Sequence, residues 1–141
     1  MTDKPSPVGL AIVVCDQIIE DKLTHKKSLI GTFNQIAAAT FPCRHPRMAV
    51  FISLTEGRGA YAVALRIAQE ETSTTVAEVK GQIEFADIHA VAELNFDLVG
   101  VQFPAPGLYA IEFYCDDALI FERRFHVLQM QQSPPPSKGL Q

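Results

Sequence analysis

The sequence predicts an all-β fold, an antiparallel β-sandwich of about seven or eight short strands. Three observations predict it. Apolar residues alternate with polar or small ones along Tyr61–Ile67, Ala90–Leu98 and Tyr109–Phe113, the period of two that turns one face of a strand toward a core. Turn residues separate the apolar runs, as at Glu56-Gly57-Arg58-Gly59 and Asp116-Asp117. The chain also lacks the strand–helix alternation of a parallel sheet and any repeat at a fixed period.

Taken in order, residues 1–7 (MTDKPSP) read as a polar, flexible N-terminal arm. Val8 to Cys15 is apolar on both faces and rich in β-branched residues, as a central strand covered on both sides should be, and Asp16–Glu20 extends it. The same run resembles a lipoprotein signal, but its leader has one Lys offset by one Asp and bulky Val14 stands where cleavage wants a small residue. Asp21–Lys27 is then a hairpin loop and Ser28–Phe33 the return strand, with Gly31 marking a bulge or a close backbone approach. Asn34–Thr40 is ambiguous: its alanines favour helix, yet it is short and has no amphipathic repeat. Phe41-Pro42 and His45-Pro46 bracket a turn. The strand Arg47–Leu54 follows, with Met48, Val50, Ile52 and Leu54 on one face.

Beyond the Tyr61–Ile67 strand, Gln69–Thr75 is a loop and Val76–Phe85 a strand or strand pair interrupted at Gly81. In His89–Val99 the core face is Ala90, Ala92, Leu94, Phe96 and Leu98. Val101–Gly107 reads as a tight Pro/Gly corner leading into Tyr109, Ile111 and Phe113. Leu119, Phe121, Phe125 and Val127 form the last inward face. Arg123 breaks that face, so either a bulge at Arg123-Arg124 turns it outward or it meets a buried acid. Gly107 and Tyr109, set after a Pro-rich corner, resemble the tyrosine corner of immunoglobulin-like sandwiches, whose phenol bonds to upstream backbone around Phe103–Ala105 here. The body is thus one domain over residues 8–128, and residues 129–141 form a Pro-rich, flexible tail.

Composition bounds the function. A chain of 141 residues with 48% hydrophobic residues can bury a core unaided. Twelve basic against sixteen acidic side chains leave a net charge of −4, the wrong sign for a protein that must displace counterions from nucleic acid. No apolar run approaches the ~20 residues of a membrane span. Cys15, Cys43 and Cys115 are odd in number and form no CxxC pair, which points to a reducing compartment, the cytoplasm, and to Cys15 and Cys115 as core residues.

Several stretches are similar to a family of short bacterial proteins catalogued only as a domain of unknown function. They are CDQIIEDKLTHKKSLIGTF (15–33), Phe41-Pro42, Leu54-Thr55-Glu56-Gly57, FPAPGLYAIEFY (103–114) and RRFHV (123–127). The likeness runs from about Leu10 to Val127 and implies a bacterial, cytoplasmic β-sandwich with no activity or catalytic residue to carry over.

No catalytic constellation is legible. There is no GxSxG elbow and no Gly-rich loop leading into a helix. Cys43 and His45 are the one close Cys/His pair, too few donors for zinc, while His25, His89 and His126 stand alone. Glu70-Glu71 and Asp116-Asp117 are adjacent pairs in polar turns, and Asp16 is a carboxylate at the end of an apolar strand. The best anion-binding candidates are Arg44, His45 and Arg47, with Arg58 near them. No cofactor, metal or catalytic residue is expected. Two classes of function stay open. One is a non-catalytic interaction module that pairs with itself or a protein partner through a sheet face or edge. The other is a small-ligand or carbohydrate binder, with a hydrolase behind it; the absence of tryptophan counts against sugar stacking.

Overall fold

A computed structural model describes residues 4–131. Among them are nine strands: β1 (Val8–Glu20), β2 (Lys27–Thr32), β3 (Gln35–Ala38), β4 (Cys43–Thr55), β5 (Gly59–Gln69), β6 (Thr75–Phe85), β7 (Val91–Phe103), β8 (Gly107–Cys115) and β9 (Ala118–Gln129). One sheet has the order β2-β1-β4-β7 and the other β3-β9-β8-β5-β6. The two inner faces meet in a single core, as the alternation required. Met48, Val50, Ile52 and Leu54 of β4 face Tyr61, Val63, Leu65 and Ile67 of β5 and Tyr109, Ile111 and Phe113 of β8, all of them buried. Every pairing but one is antiparallel.

The exception is β3, which lies parallel to β9 with Ile36 opposite Val127. This is the segment whose alanines left its state open. Seven residues cannot repay helix nucleation, whereas the free edge of β9 offers a ready ladder, extended by Met130 N–H to the Ala38 carbonyl (2.8 Å). β3 is the strand by which the count exceeds the sequence reading.

Five further readings change. Pro46 lies inside β4 rather than in a turn. It stands where β7 carries Gly100, whose φ of +67° is open to glycine at little cost. That kink moves the inward face of β7 from Phe96 and Leu98 to Val101 and Phe103, so β7 runs on through what reads as a corner. β6 is one unbroken strand, Gly81 pairing with Val63. In β9 the register shifts between Phe121 and Leu119, leaving Leu119 exposed. Arg123 keeps the inward register and meets neither a bulge nor an acid. Its guanidinium donates to the Ile12 carbonyl (2.9 Å) and to the Asn34 side chain.

The contact at Ile12 follows from the shape of β1. Its first half, Val8–Cys15, pairs with β4, and its second half, Cys15–Glu20, pairs with β2. Each half therefore has one open side. Along the first half Arg123 reaches the exposed backbone, and the Phe121 ring lies where a Cβ on Gly9 would sit. Val8 and Leu10 are exposed, so the start of β1 is not covered on both sides, whereas Val14 and Cys15 are buried on opposite faces. The hairpin built on the second half arches over the outward face of the first sheet. Register places Cys15, Ala49 and Ser53 on that outward face, yet all three are buried. Lys27 of the hairpin stands 5.6 Å above the Phe51 ring and 3.8 Å from Glu93. The hairpin loop is fixed by Asp21, whose Oδ1 accepts the N–H groups of Leu23 (2.8 Å) and Thr24 (2.9 Å). Those donors, Thr24 foremost, hold the Asp21 carboxyl below its ordinary range.

The C-terminal corner is immunoglobulin-like in its tyrosine. The Tyr109 ring is fully buried, edge-on to Phe103 at 5.1 Å, and its hydroxyl donates to the Ala105 carbonyl (2.7 Å). Asp116 and Asp117, at φ +47° and +68°, form the tight turn joining β8 to β9. The N-terminal segment, read as a flexible arm, is docked from Lys4 onward: Pro7 is buried and Pro5 accepts a hydrogen bond from Tyr61. No described helix is long and apolar enough to cross a membrane. Of the Pro-rich tail, residues 132–141 lie outside the described part of the chain.

Candidate functional site

A cleft of about 350 Å³ opens where the chain leaves β2, crosses to β3 and returns to begin β4. Its walls include Asp16 of β1, Thr32 of β2, Phe33, Ile36 of β3 and His45 of β4. Local sequence explains each placement. Asp16 follows Cys15, the point where β1 changes partners, and its carboxylate lies over Gly31. A side chain at Gly31 would collide with that carboxylate, and the residue's φ of +71° disfavours any side chain independently. Phe33 N–H donates to the Val14 carbonyl (3.1 Å), which pins the exit from β2. His45, on the inward face opposite Val101, brings its ring to 5.8 Å from Phe33.

The cleft therefore presents a carboxylate, an imidazole and an aromatic ring above an apolar floor at Ile36. Neither Asp16 nor His45 makes a side-chain hydrogen bond or ion pair among the described residues, which leaves both free for a ligand. The arrangement suits a small polar guest or the side chain of a docked peptide.

The basic candidates are not brought together. Arg44 and His45 point to opposite faces of β4, and the Arg44 guanidinium lies over Gly100. Arg47 stands 3.9 Å from Asp97 on the outward face. Arg58 lies in the turn beyond the other end of β4, about 40 Å from Arg44 at the usual rise of a strand. Cys43 is half-buried and unbonded to another thiol. Among the described residues no three His, Cys, Asp or Glu side chains converge as a metal site.

Several other titratable groups are engaged in structure. Glu70 pairs with Arg124. Arg66 of β5 bridges Glu112 (3.0 Å), Thr75 Oγ1 (2.7 Å) and the Ser73 carbonyl (3.0 Å). Tyr114 donates to the same Glu112 at 3.0 Å, and burial, then that carboxylate, pushes its phenol up. Burial raises the Cys15 thiol, helped by Asp16 and Asp97. Burial also pushes the Cys115 thiol up to about 11, with Asp116 adding to it. Both thiols are therefore poor nucleophiles at neutral pH.

The family model for a family of unknown function, DUF6941, matches residues 10–128. The chain belongs to this family. Residues of DUF6941 in this chain thus include the cleft and the corner, both inside the matched span. No curated protein matches the chain. Among solved structures it is similar to a β-glucosidase from Listeria innocua in complex with isofagomine, at a TM-score of 0.45 and 10% identity over 67% of this chain. It is also similar to a β-glucosidase from Kluyveromyces marxianus, at 0.42 and 14% over 75%. The chain spans only 15% and 16% of those two proteins.

Sequence reasoning singled out Asp16 and His45 separately. Thr32, Phe33 and Ile36 were missed as site residues, because nothing local marks a crossover between two sheets as the wall of a cleft.

Proposed function

We propose that this domain is a non-catalytic protein-interaction module of the cytoplasm that docks an extended partner segment along β2. The observation that supports this most is the fate of the sheet edges. β6 and β7 lie against one another across the sandwich, Arg123 and Phe121 close the open half of β1, and β3 is only four residues long. Among the described residues β2, with six residues, remains as the open edge, the template on which another strand can pair. The hairpin face turned away from the body carries Ile19 (45% exposed) and Ile30 (42%), diagonal neighbours in the register, with Leu23 (91%) at its tip.

Main-chain pairing along such an edge supplies affinity, and a neighbouring pocket supplies specificity. The cleft beside Thr32 and Phe33 is placed for that second role. The three free thiols support a reducing compartment. The partner is another protein or a second copy of this chain, and a specific complex should bury at least about 1,000 Å².

The test is a double substitution, Ile19→Glu with Ile30→Glu. Both side chains are exposed, so the denaturation midpoint should stay close to that of the wild type. Partner capture from the native cell, or a dimer mass in light scattering at micromolar concentration, should disappear. A wild-type chain that is monomeric and captures nothing, or a variant that keeps its partner, overturns the reading.

A second reading, small-ligand binding, is supported by the unengaged Asp16 and His45 in the cleft. It requires that Asp16→Asn or His45→Ala abolish the binding of a ligand that the Ile19/Ile30 variant still holds.

A further inference from the structure

We propose that Tyr61, Asp116 and the Ala60 carbonyl form a receptor for the ammonium group of an unmodified lysine side chain, a receptor that Lys4 of the same chain occupies. The Lys4 Nζ meets three partners. It lies 2.9 Å from Asp116 Oδ2, it donates to the Ala60 carbonyl, and it stands 4.3 Å from the centroid of the Tyr61 ring. An alkylammonium has three N–H donors and no acceptor. A carboxylate, a carbonyl and the negative face of a phenol ring match those three donors one for one.

The walls of the notch are fixed by contacts that do not involve Lys4. Asp116 N–H donates to the Ala62 carbonyl (2.7 Å), and Asp116 Oδ1 accepts the Ala62 N–H (2.9 Å). This leaves Oδ2 turned toward the ammonium. The Tyr61 ring is held edge-on against Phe85 at 5.6 Å, and its hydroxyl accepts the Arg58 N–H (3.0 Å) while donating to the Pro5 carbonyl (2.6 Å). The notch is therefore preorganised, and Lys4 fills it as a ligand would. Lys4 and Asp116 are each nearly half exposed, so a competing lysine has access from solvent. A surface ion pair with one cation–π contact is weak enough to be exchanged.

The geometry also sets the selectivity. Acetylation removes the charge and so opens the notch, whereas trimethylation removes the three donors but keeps the attraction to Asp116 and the Tyr61 ring. A lysine-bearing segment of a partner must compete with a tethered group whose effective concentration is in the millimolar range. Lys4 thus competes with weak ligands for the site until it is displaced or modified. It is separate from the β2 edge, and its test does not depend on that edge.

The experiment uses the full-length chain carrying Lys4→Ala, titrated with Nα-acetyl-lysine amide and, in parallel, with its uncharged isostere Nα-acetyl-norleucine amide. Amide shifts are followed by NMR. The lysine derivative should move the Ala62 and Asp116 signals with a Kd on the order of 10 mM, and the norleucine derivative should not. The wild-type chain should respond more weakly, because the tethered Lys4 competes for the notch. Adding Asp116→Asn, which retains a side-chain oxygen for the Ala62 N–H, should weaken the lysine response about tenfold. Equal responses to the two derivatives, equal responses of wild type and Lys4→Ala, or no response at 100 mM (roughly ten times the expected Kd) would each refute the proposal.

Discussion

Replacing Tyr109 by Phe removes one oxygen from a fully buried ring and changes little else. The hydroxyl donates to the Ala105 carbonyl at 2.7 Å, and the ring is packed against Phe103 at 5.1 Å and Phe125 at 5.9 Å. In Tyr109→Phe both ring contacts survive, so no cavity larger than the oxygen opens. What is lost is one intramolecular hydrogen bond, a net ~1 kcal/mol, with the Ala105 carbonyl left to find water. Tyr109→Ala would instead remove the ring and cost about 3–5 kcal/mol. With a urea m-value of roughly 1–3 kcal/mol/M for a small domain, the first variant should lower the denaturation midpoint by ~0.3–1 M and leave the slope unchanged. Equilibrium unfolding followed by circular dichroism measures both quantities. An unchanged midpoint would mean that the hydroxyl exchanges Ala105 for water at no cost, and the corner would lose its energetic meaning. A loss as large as that of the Ala variant would mean that the ring, not the bond, depends on the hydroxyl.

Two further outcomes are expected. Arg123→Ala should destabilise by about 1–2 kcal/mol, because it removes the donor to the Ile12 carbonyl, and it should promote self-association by uncovering the first half of β1. Urea denaturation and light scattering test this together, and a variant as stable and as dispersed as wild type sinks the edge-closing role. Stability should also fall as pH rises above 9. The Cys115 thiol sits at about 11 in the folded chain against an ordinary value of 9.0, so between those values the unfolded chain releases a proton that the folded chain keeps. Stability is then complete below pH ~9 and declines toward pH ~11, by at most about 3 kcal/mol for two pKa units. Cys115→Ala should flatten that decline relative to wild type, and parallel pH profiles would show that the thiol ionises equally in both states.

The faces of β4, β5 and β8 were legible because a strand's alternation is local: neighbours two apart share a face whatever the rest of the chain does. The Tyr109 hydroxyl was legible too, since donor and acceptor lie four residues apart in one corner. Asp16 and His45 could be named as interesting, but their meeting in one cleft could not, because it depends on the path of β3. That path was itself hidden. A short run of alanines has no preference strong enough to declare a state, and the edge of β9, some ninety residues away, decides it.

The sequence by itself therefore determined the all-β class, the core faces of β4, β5 and β8 and the tyrosine corner, each written in spacings of two to four residues. The tertiary structure alone decided which edges are closed, that the β1–β2 hairpin folds over the outward face of the first sheet, and that Lys4 finds Tyr61 and Asp116. Arg123 shows the physical reason. Its charge makes it look misplaced on an inward face when only its own strand is considered. Its partner is a backbone carbonyl 111 residues away, left unpaired because β1 exchanges one neighbour for another half-way along its length. Such needs arise from the assembled sheets, and only the assembled sheets reveal the side chain that meets them.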